Sequence, residues 1–160
     1  MTANKELLGS QLSRHVDKYD ESHRTRVNRL LHYVGIPLAA FATLGLLSKL
    51  AIPMDGVPHW LQPNLALVAL LGAGAWYVWW RPLVGIFMLA IGTAGYVVST
   101  MMPTWLLAGF GVAAVALHFI GHYGFEGKPP QLLRRPVSII EAPIWLLARL
   151  FGWAKEQVEN

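Results

Sequence analysis

The sequence predicts an all-α integral membrane protein: four transmembrane helices with both termini in the cytoplasm, an N-terminal amphipathic helix and a C-terminal interfacial or re-entrant helix. Three observations predict it. Charge is scarce, at 14% of 160 residues, where soluble domains carry about a quarter. Its placement is uneven: between Leu30 and Gly127 the only charged residues are Lys49, Asp55, Arg81 and Glu126, and residues 82–125 hold none. The remaining basic residues gather on the flanks of the apolar stretches, where they anchor and orient spans.

A crossing needs about 20 mostly apolar residues, and four segments supply them: 30–47, 61–80, 82–102 and 103–125. Pro53, Pro58, Pro63, Pro82 and Pro103 lie near the junctions, where a missing N–H is tolerated at a helix start or ends the helix before. Arg81-Pro82 and Met102-Pro103 leave almost no loop, so spans two to four must run antiparallel to their neighbours. Gly72, Gly74, Gly85, Gly92, Gly95, Gly109 and Gly111 allow close helix approach. Trp60, Trp76, Trp79, Trp80 and Trp105 fall near span ends, as an interfacial aromatic belt requires.

The basic residues set the orientation. Lys5, Arg14, Lys18, Arg24, Arg26 and Arg29 precede the first span, and Lys128, Arg134 and Arg135 follow the fourth. The loop after span one has only Lys49 and the turn after span three has none. Cytoplasmic termini and an even number of crossings satisfy the positive-inside rule at each loop. Residues 4–19 carry Leu7, Leu8, Leu12, Val16 and Tyr19 at helical spacing and predict an amphipathic surface helix. Residues 136–153 are apolar but interrupted by Glu141, Pro143 and Arg149, which predicts an interfacial or re-entrant helix. The chain reads as one membrane domain, residues 1–160.

Composition also excludes. Without cysteine there is neither a disulfide framework nor a thiolate metal site. The charge of +4 and pI near 9.6 come from the flanks of the spans, so nucleic acid is not the expected partner; membrane lipid is. The polar first 29 residues do not resemble a secretory signal.

Four of the six histidines form two clusters, His23 with His32 and His118 with His122. His118 and His122, four apart, share a helix face. His32 opens span one and His122 closes span four, so three crossings bring both clusters to the cytoplasmic face. His23 and His32 are nine apart and would face opposite sides of one helix; a bend at Asp20-Glu21-Ser22 must bring His23 in. Imidazoles suit iron, zinc, copper and nickel, and four of them on one membrane face form a candidate metal centre. The plainer alternative is interfacial histidines hydrogen-bonded to neighbours. Glu126 is read as a ligand, an acceptor orienting an imidazole or an interfacial acid, with the orienting role favoured. Asn28 is read as holding a ligand or a polar group of the substrate, or else as bonding between helices. His15 and His59 are expected to be solvated, and Tyr19 and Tyr123 to be interfacial aromatics.

Two stretches carry a resemblance. His23, Asn28, His32, Gly35 and Pro37 follow the spacing H-x4-N-x3-H-x2-G-x-P, and Gly121-His122-Tyr123-Gly124-Phe125-Glu126 with Pro130 follows G-H-x-x-F-E-x-x-x-P. The chain resembles the family of the fungal endoplasmic-reticulum 2-hydroxy fatty acid dioxygenase of phytosphingosine breakdown, which includes bacterial members. The resemblance spans residues 19–130. It implies an iron(II)-dependent oxygenase that uses O2 to shorten a 2-hydroxy fatty acid by one carbon. By position it implies His23, His32 and His122 as iron ligands, with Asn28 and Glu126 as the family's other polar site residues. His118 departs from the family, where glutamine is common, so the fourth ligand stays open.

Two other readings of the residues stand beside this one. The same histidines could serve a zinc-dependent lipid hydrolase or lipid-modifying enzyme, which metal analysis and oxygen uptake would separate. The chain could instead be a non-enzymatic lipid-binding scaffold or small transporter, for which a homo-oligomer would be compatible; absence of a midplane charge and of an inverted repeat argues against transport. The expected location is the inner membrane of a bacterium or the endoplasmic reticulum of a eukaryote.

Overall fold

A computed structural model describes residues 14–58 and 62–151. Helix α1 covers 14–20, followed by α2 (Arg26–Ser48), α3 (Leu65–Trp80), α4 (Pro82–Thr100), α5 (Thr104–Phe119) and α6 (Ser138–Leu150). A π-helical turn, Ile120–Glu126, continues α5, and a 3-10 turn, Gln131–Leu133, precedes α6. Among the described residues there is no strand, only an isolated bridge between Ala51 and Asn64.

Three of these helical stretches are long and apolar enough to cross a membrane: Arg26–Ser48, Pro82–Thr100 and Thr104–Glu126. The helix read as the second span is shorter. Asn64 caps it, accepting the Leu67 N–H at 3.2 Å, because Pro63 and the bridged segment before it hold the chain extended. Sixteen residues give about 24 Å of helix, less than the roughly 30 Å of a bilayer core.

The chain divides into two compact units, Leu38–Val112 and the residues flanking it on both sides. In the Leu38–Val112 unit, Arg81 is extended, as a residue before proline must be, and Pro82 opens α4 at its first turn. α3 and α4 therefore fold back on each other, and their contacts run in opposite order: Gly85 against Val78, Leu89 against Gly74, Gly92 against Leu70. A Cβ on Gly85 would lie 2.5 Å from the Val78 backbone nitrogen, so glycine sets this approach. Asn64 Nδ2 donates to the Tyr96 hydroxyl at 2.8 Å, tying the start of α3 to α4. Trp79 and Trp105 are 84% and 74% exposed, as aromatics that meet headgroups would be.

The flanking unit contains the start of α2, the end of α5 with its π turn, α1 and α6. α2 starts at Thr25, whose Oγ1 accepts the Asn28 N–H at 3.3 Å, an ordinary threonine N-cap. α1 ends at Asp20, and a tight turn follows in which the His23 N–H reaches the Asp20 carbonyl at 2.9 Å. This is the bend that the spacing of His23 and His32 demands. Of the amphipathic helix read at 4–19, residues 4–13 lie outside the described residues. Of that read at 136–153, α6 accounts for Ser138–Leu150, and residues 152–153 are likewise outside.

Candidate metal centre

Three segments bring the histidines together. His23 sits in the turn after α1, His32 in the second turn of α2, and His122 in the π turn after α5. Ring centroids of His23 and His32 are 4.3 Å apart, of His23 and His122 4.9 Å, and of His32 and His122 5.0 Å. His23 and His32 are fully buried and His122 is 3% exposed. One nitrogen from each forms a group lying within 4.8 Å of one another.

The backbone fixes which nitrogen faces the group. His23 Nδ1–H donates to the Tyr19 carbonyl at 2.7 Å, and His32 Nδ1–H to the Asn28 carbonyl at 2.8 Å. In both cases the acceptor lies four residues upstream, within reach of a helix-like turn. Nδ1 thus carries the proton, and Nε2 is left as a lone pair. Both Nε2 atoms and His122 Nδ1 are buried without a hydrogen-bond partner. Leaving such groups unpaired costs about 1–3 kcal/mol each, so three of them, on residues that each offer a ring nitrogen within 4.8 Å of the others, form a set that a cation would satisfy. All the donors are imidazole nitrogens, which fits a borderline metal such as iron or zinc and not calcium or magnesium. Burial holds the His23 imidazole well below its ordinary pKa, and the neighbouring His32 adds to this, so it is neutral and able to ligate.

His118 lies alongside. Its Nδ1–H donates to the Ala114 carbonyl at 2.8 Å, the same upstream pattern, and its ring stands edge-on to His32 at 4.4 Å. Gly35 makes room for it: a Cβ there would lie 3.1 Å from the His118 ring. The helix face expected to hold both His118 and His122 is not simple α-helix, because the chain widens to π geometry from Ile120. π turns recur at functional sites, and here Gly121 and Gly124 place no side chain in the widened turn. Gly127, at φ +63°, ends it.

Glu126 makes its named contacts with the start of α2. Its Oε1 accepts the Thr25 N–H at 2.8 Å, the Thr25 hydroxyl at 3.0 Å and Asn28 Nδ2 at 3.1 Å. A carboxylate there also meets the positive end of the α2 dipole. It thus joins the π turn to α2 through Thr25 and Asn28, where the sequence favoured an imidazole as its partner. Asn28 Oδ1 is buried without a partner and occupies the space above Gly121, where a Cβ would fall 2.2 Å from it. Gly121→Ala is expected to destabilise the protein by about 1–3 kcal/mol, as overpacking does, because Glu126 tethers Asn28 and prevents it from yielding. Thermal unfolding in detergent should show the loss, and Gly121→Ala with Asn28→Ala should recover part of it.

Several residues around the cluster differ from their sequence reading. Tyr19, expected at the interface, is 4% exposed and stacks on His23 at 4.3 Å and 6°; burial raises its hydroxyl pKa above the ordinary phenol value. Trp145 of α6 is fully buried, 5.2 Å from His23 and 6.5 Å from His32 by ring centroids. His15, expected to be solvated, donates from Nδ1 to the buried Glu141 at 2.5 Å, and Arg135 adds a contact of 2.7 Å to the same oxygen. Residues 136–153 read as an interfacial or re-entrant helix, and nothing local said what α6 would cover.

A family model described as "2-hydroxy-palmitic acid dioxygenase Mpo1-like" matches residues 10–153. The chain belongs to the Mpo1-like family. In this Mpo1-like chain the match covers α1, the histidine-bearing segments and α6 together. No curated protein and no solved structure matches it.

Proposed function

We propose that the chain is an iron(II)-dependent membrane dioxygenase that converts a 2-hydroxy fatty acid into the fatty acid one carbon shorter. The trio of buried, unbonded imidazole nitrogens on His23, His32 and His122 carries this reading. The family description supplies the substrate class. The reaction balances without an added reductant. The hydroxyl-bearing carbon becomes the new carboxyl, the old carboxyl leaves as carbon dioxide, and dioxygen takes up the released electrons to give water and the inserted oxygen.

His23, His32 and His122 would hold the iron, with His118 as the fourth nitrogen donor. When bound, iron(II) would supply the redox-active chemistry for the reaction of dioxygen with the 2-hydroxy acid head. The protein does the rest by placement. Tyr19 and Trp145 cover His23 and exclude water from that side. Glu126 is the acceptor we assign to the substrate's 2-hydroxyl, with Asn28 and Thr25 holding it in place. Four crossings, with both termini in the cytoplasm and the whole chain acting as one membrane domain, would put this chemistry at the cytoplasmic face. The acyl chain would then stay in hydrocarbon while its polar head meets the histidines.

The test is anaerobic iron loading in lipid nanodiscs, followed by admission of oxygen and mass spectrometry of added 2-hydroxypalmitate. Pentadecanoic acid should form, with one dioxygen consumed per product. Stoichiometric zinc in the purified protein, with no oxygen uptake in any metal form, would overturn the reading in favour of a hydrolytic enzyme.

A further inference from the structure

His32 and His122 ride on helical backbone, but His23 does not: it lies in the short turn between α1 and α2. A donor on a turn is only as well placed as the contacts that hold the turn. Two of those contacts come from α6, more than a hundred residues away. Arg149 pairs with Asp20 through Nη2 and Oδ2. Trp145 Nε1–H donates to the other oxygen, Asp20 Oδ1, at 3.2 Å. The two α6 residues are four apart and share a face, so both grip one carboxylate. Asp20 in turn accepts the His23 N–H on its carbonyl at 2.9 Å. From α2, Arg29 Nε donates to the His23 carbonyl at 2.6 Å. Asp20 and Arg29 are 6% and 4% exposed, so this grip operates out of water, where it is strong.

We propose that the Asp20–Arg149 pair, backed by Trp145, is a positioning clamp through which α6 sets His23 for metal binding. The inference rests on the metal-centre reading above for what His23 does, but the clamp itself is a property of the metal-free protein. Neither Asp20 nor Arg149 touches the metal nitrogens. Each acts through the turn, as outer partners of metal ligands commonly do.

The decisive variant is Asp20→Asn with Arg149→Met. Removing both charges of a buried pair is often neutral for stability, whereas removing one leaves the other stranded. The asparagine oxygen can still accept from Trp145, so the fold and the thermal midpoint should be kept. Two readouts then separate clamping from mere structure. In the metal-free protein, amide exchange across residues 20–24 should rise by about tenfold or more while α3 and α4 keep their protection. In the cobalt-loaded protein, the visible ligand-field spectrum should change and metal affinity should fall by about 10–100-fold. Arg149→Lys, which keeps the charge on Asp20, should restore most of both. Unchanged exchange in the double variant would overturn the clamp, as would an unaltered cobalt spectrum and affinity. If the wild-type protein binds neither iron nor cobalt, the metal reading fails, and the exchange measurement still decides the clamp.

Discussion

Replacing His32 with leucine is expected to abolish iron binding while leaving the metal-free protein as stable as before, or more so. The reason lies in what the cluster costs. His23 Nε2, His32 Nε2 and His122 Nδ1 are buried with nothing to bond, at about 1–3 kcal/mol apiece. Leucine fills similar space and removes one of these orphaned atoms. The Asn28 carbonyl, which loses the His32 Nδ1–H, remains a helix acceptor within α2. His23→Leu and His122→Leu should behave alike, whereas His118→Gln should keep metal, since a glutamine oxygen can stand where that ring lies beside His32. The checks are metal content after anaerobic loading and thermal midpoints with and without iron(II). The wild type should gain stability from iron as any protein gains from a ligand of its folded state, and the three leucine variants should gain none. Turnover of 2-hydroxypalmitate should fall by more than the 10–100-fold typical of an outer partner. A leucine variant that still bound iron with wild-type stoichiometry would remove that histidine from the site.

Trp145→Ala is expected to be the most destabilising single change in the unit that holds the histidines. The side chain is fully buried and touches Tyr19, His23, His32 and Tyr33 through ring contacts. Truncating a buried tryptophan costs about 3–5 kcal/mol, and the void would open beside His23 and His32. Two effects should appear together: a lower unfolding midpoint and faster loss of bound iron to a chelator. Trp145→Phe separates packing from hydrogen bonding. It keeps an aromatic ring against Tyr19 and His23 but loses the donor to Asp20, which still has Arg149. Phenylalanine should therefore recover most of the stability. If Trp145→Ala left both the midpoint and the chelation rate unchanged, α6 would not cover the site.

What could be read from the sequence followed the range over which each signal acts. The apolar stretches gave the helices because hydropathy is a local property, and α2, α4 and α5 fall within a few residues of the expected spans. Crossing number and charge asymmetry led to the expectation that the histidines meet, and His23, His32 and His122 do lie together. The bend before His23 followed from nine residues being a half-turn out of phase. The second helix came out short because Asn64 and Pro63 reserve its approach for extended chain, a capping effect that hydropathy averages away. The shell around His23 was not legible. Trp145 with Asp20, Arg149 with Asp20 and His15 with Glu141 join residues 125, 129 and 126 positions apart. No period or motif records such pairs. Tyr19 and His15 read as surface groups because the sequence of α1 does not reveal its cover.

The π turn at Ile120–Glu126 amounts to a helix carrying one surplus residue. Substitutions leave that count alone, but a deletion would let the backbone relax to α geometry and change where His122 and Glu126 point relative to His118. His118 precedes the bulge, whereas His122 lies within it and Glu126 at its end. The distance in sequence between His118 and Glu126 is therefore under a constraint separate from the identity of any residue between them. Length, more than composition, is what this stretch has to preserve.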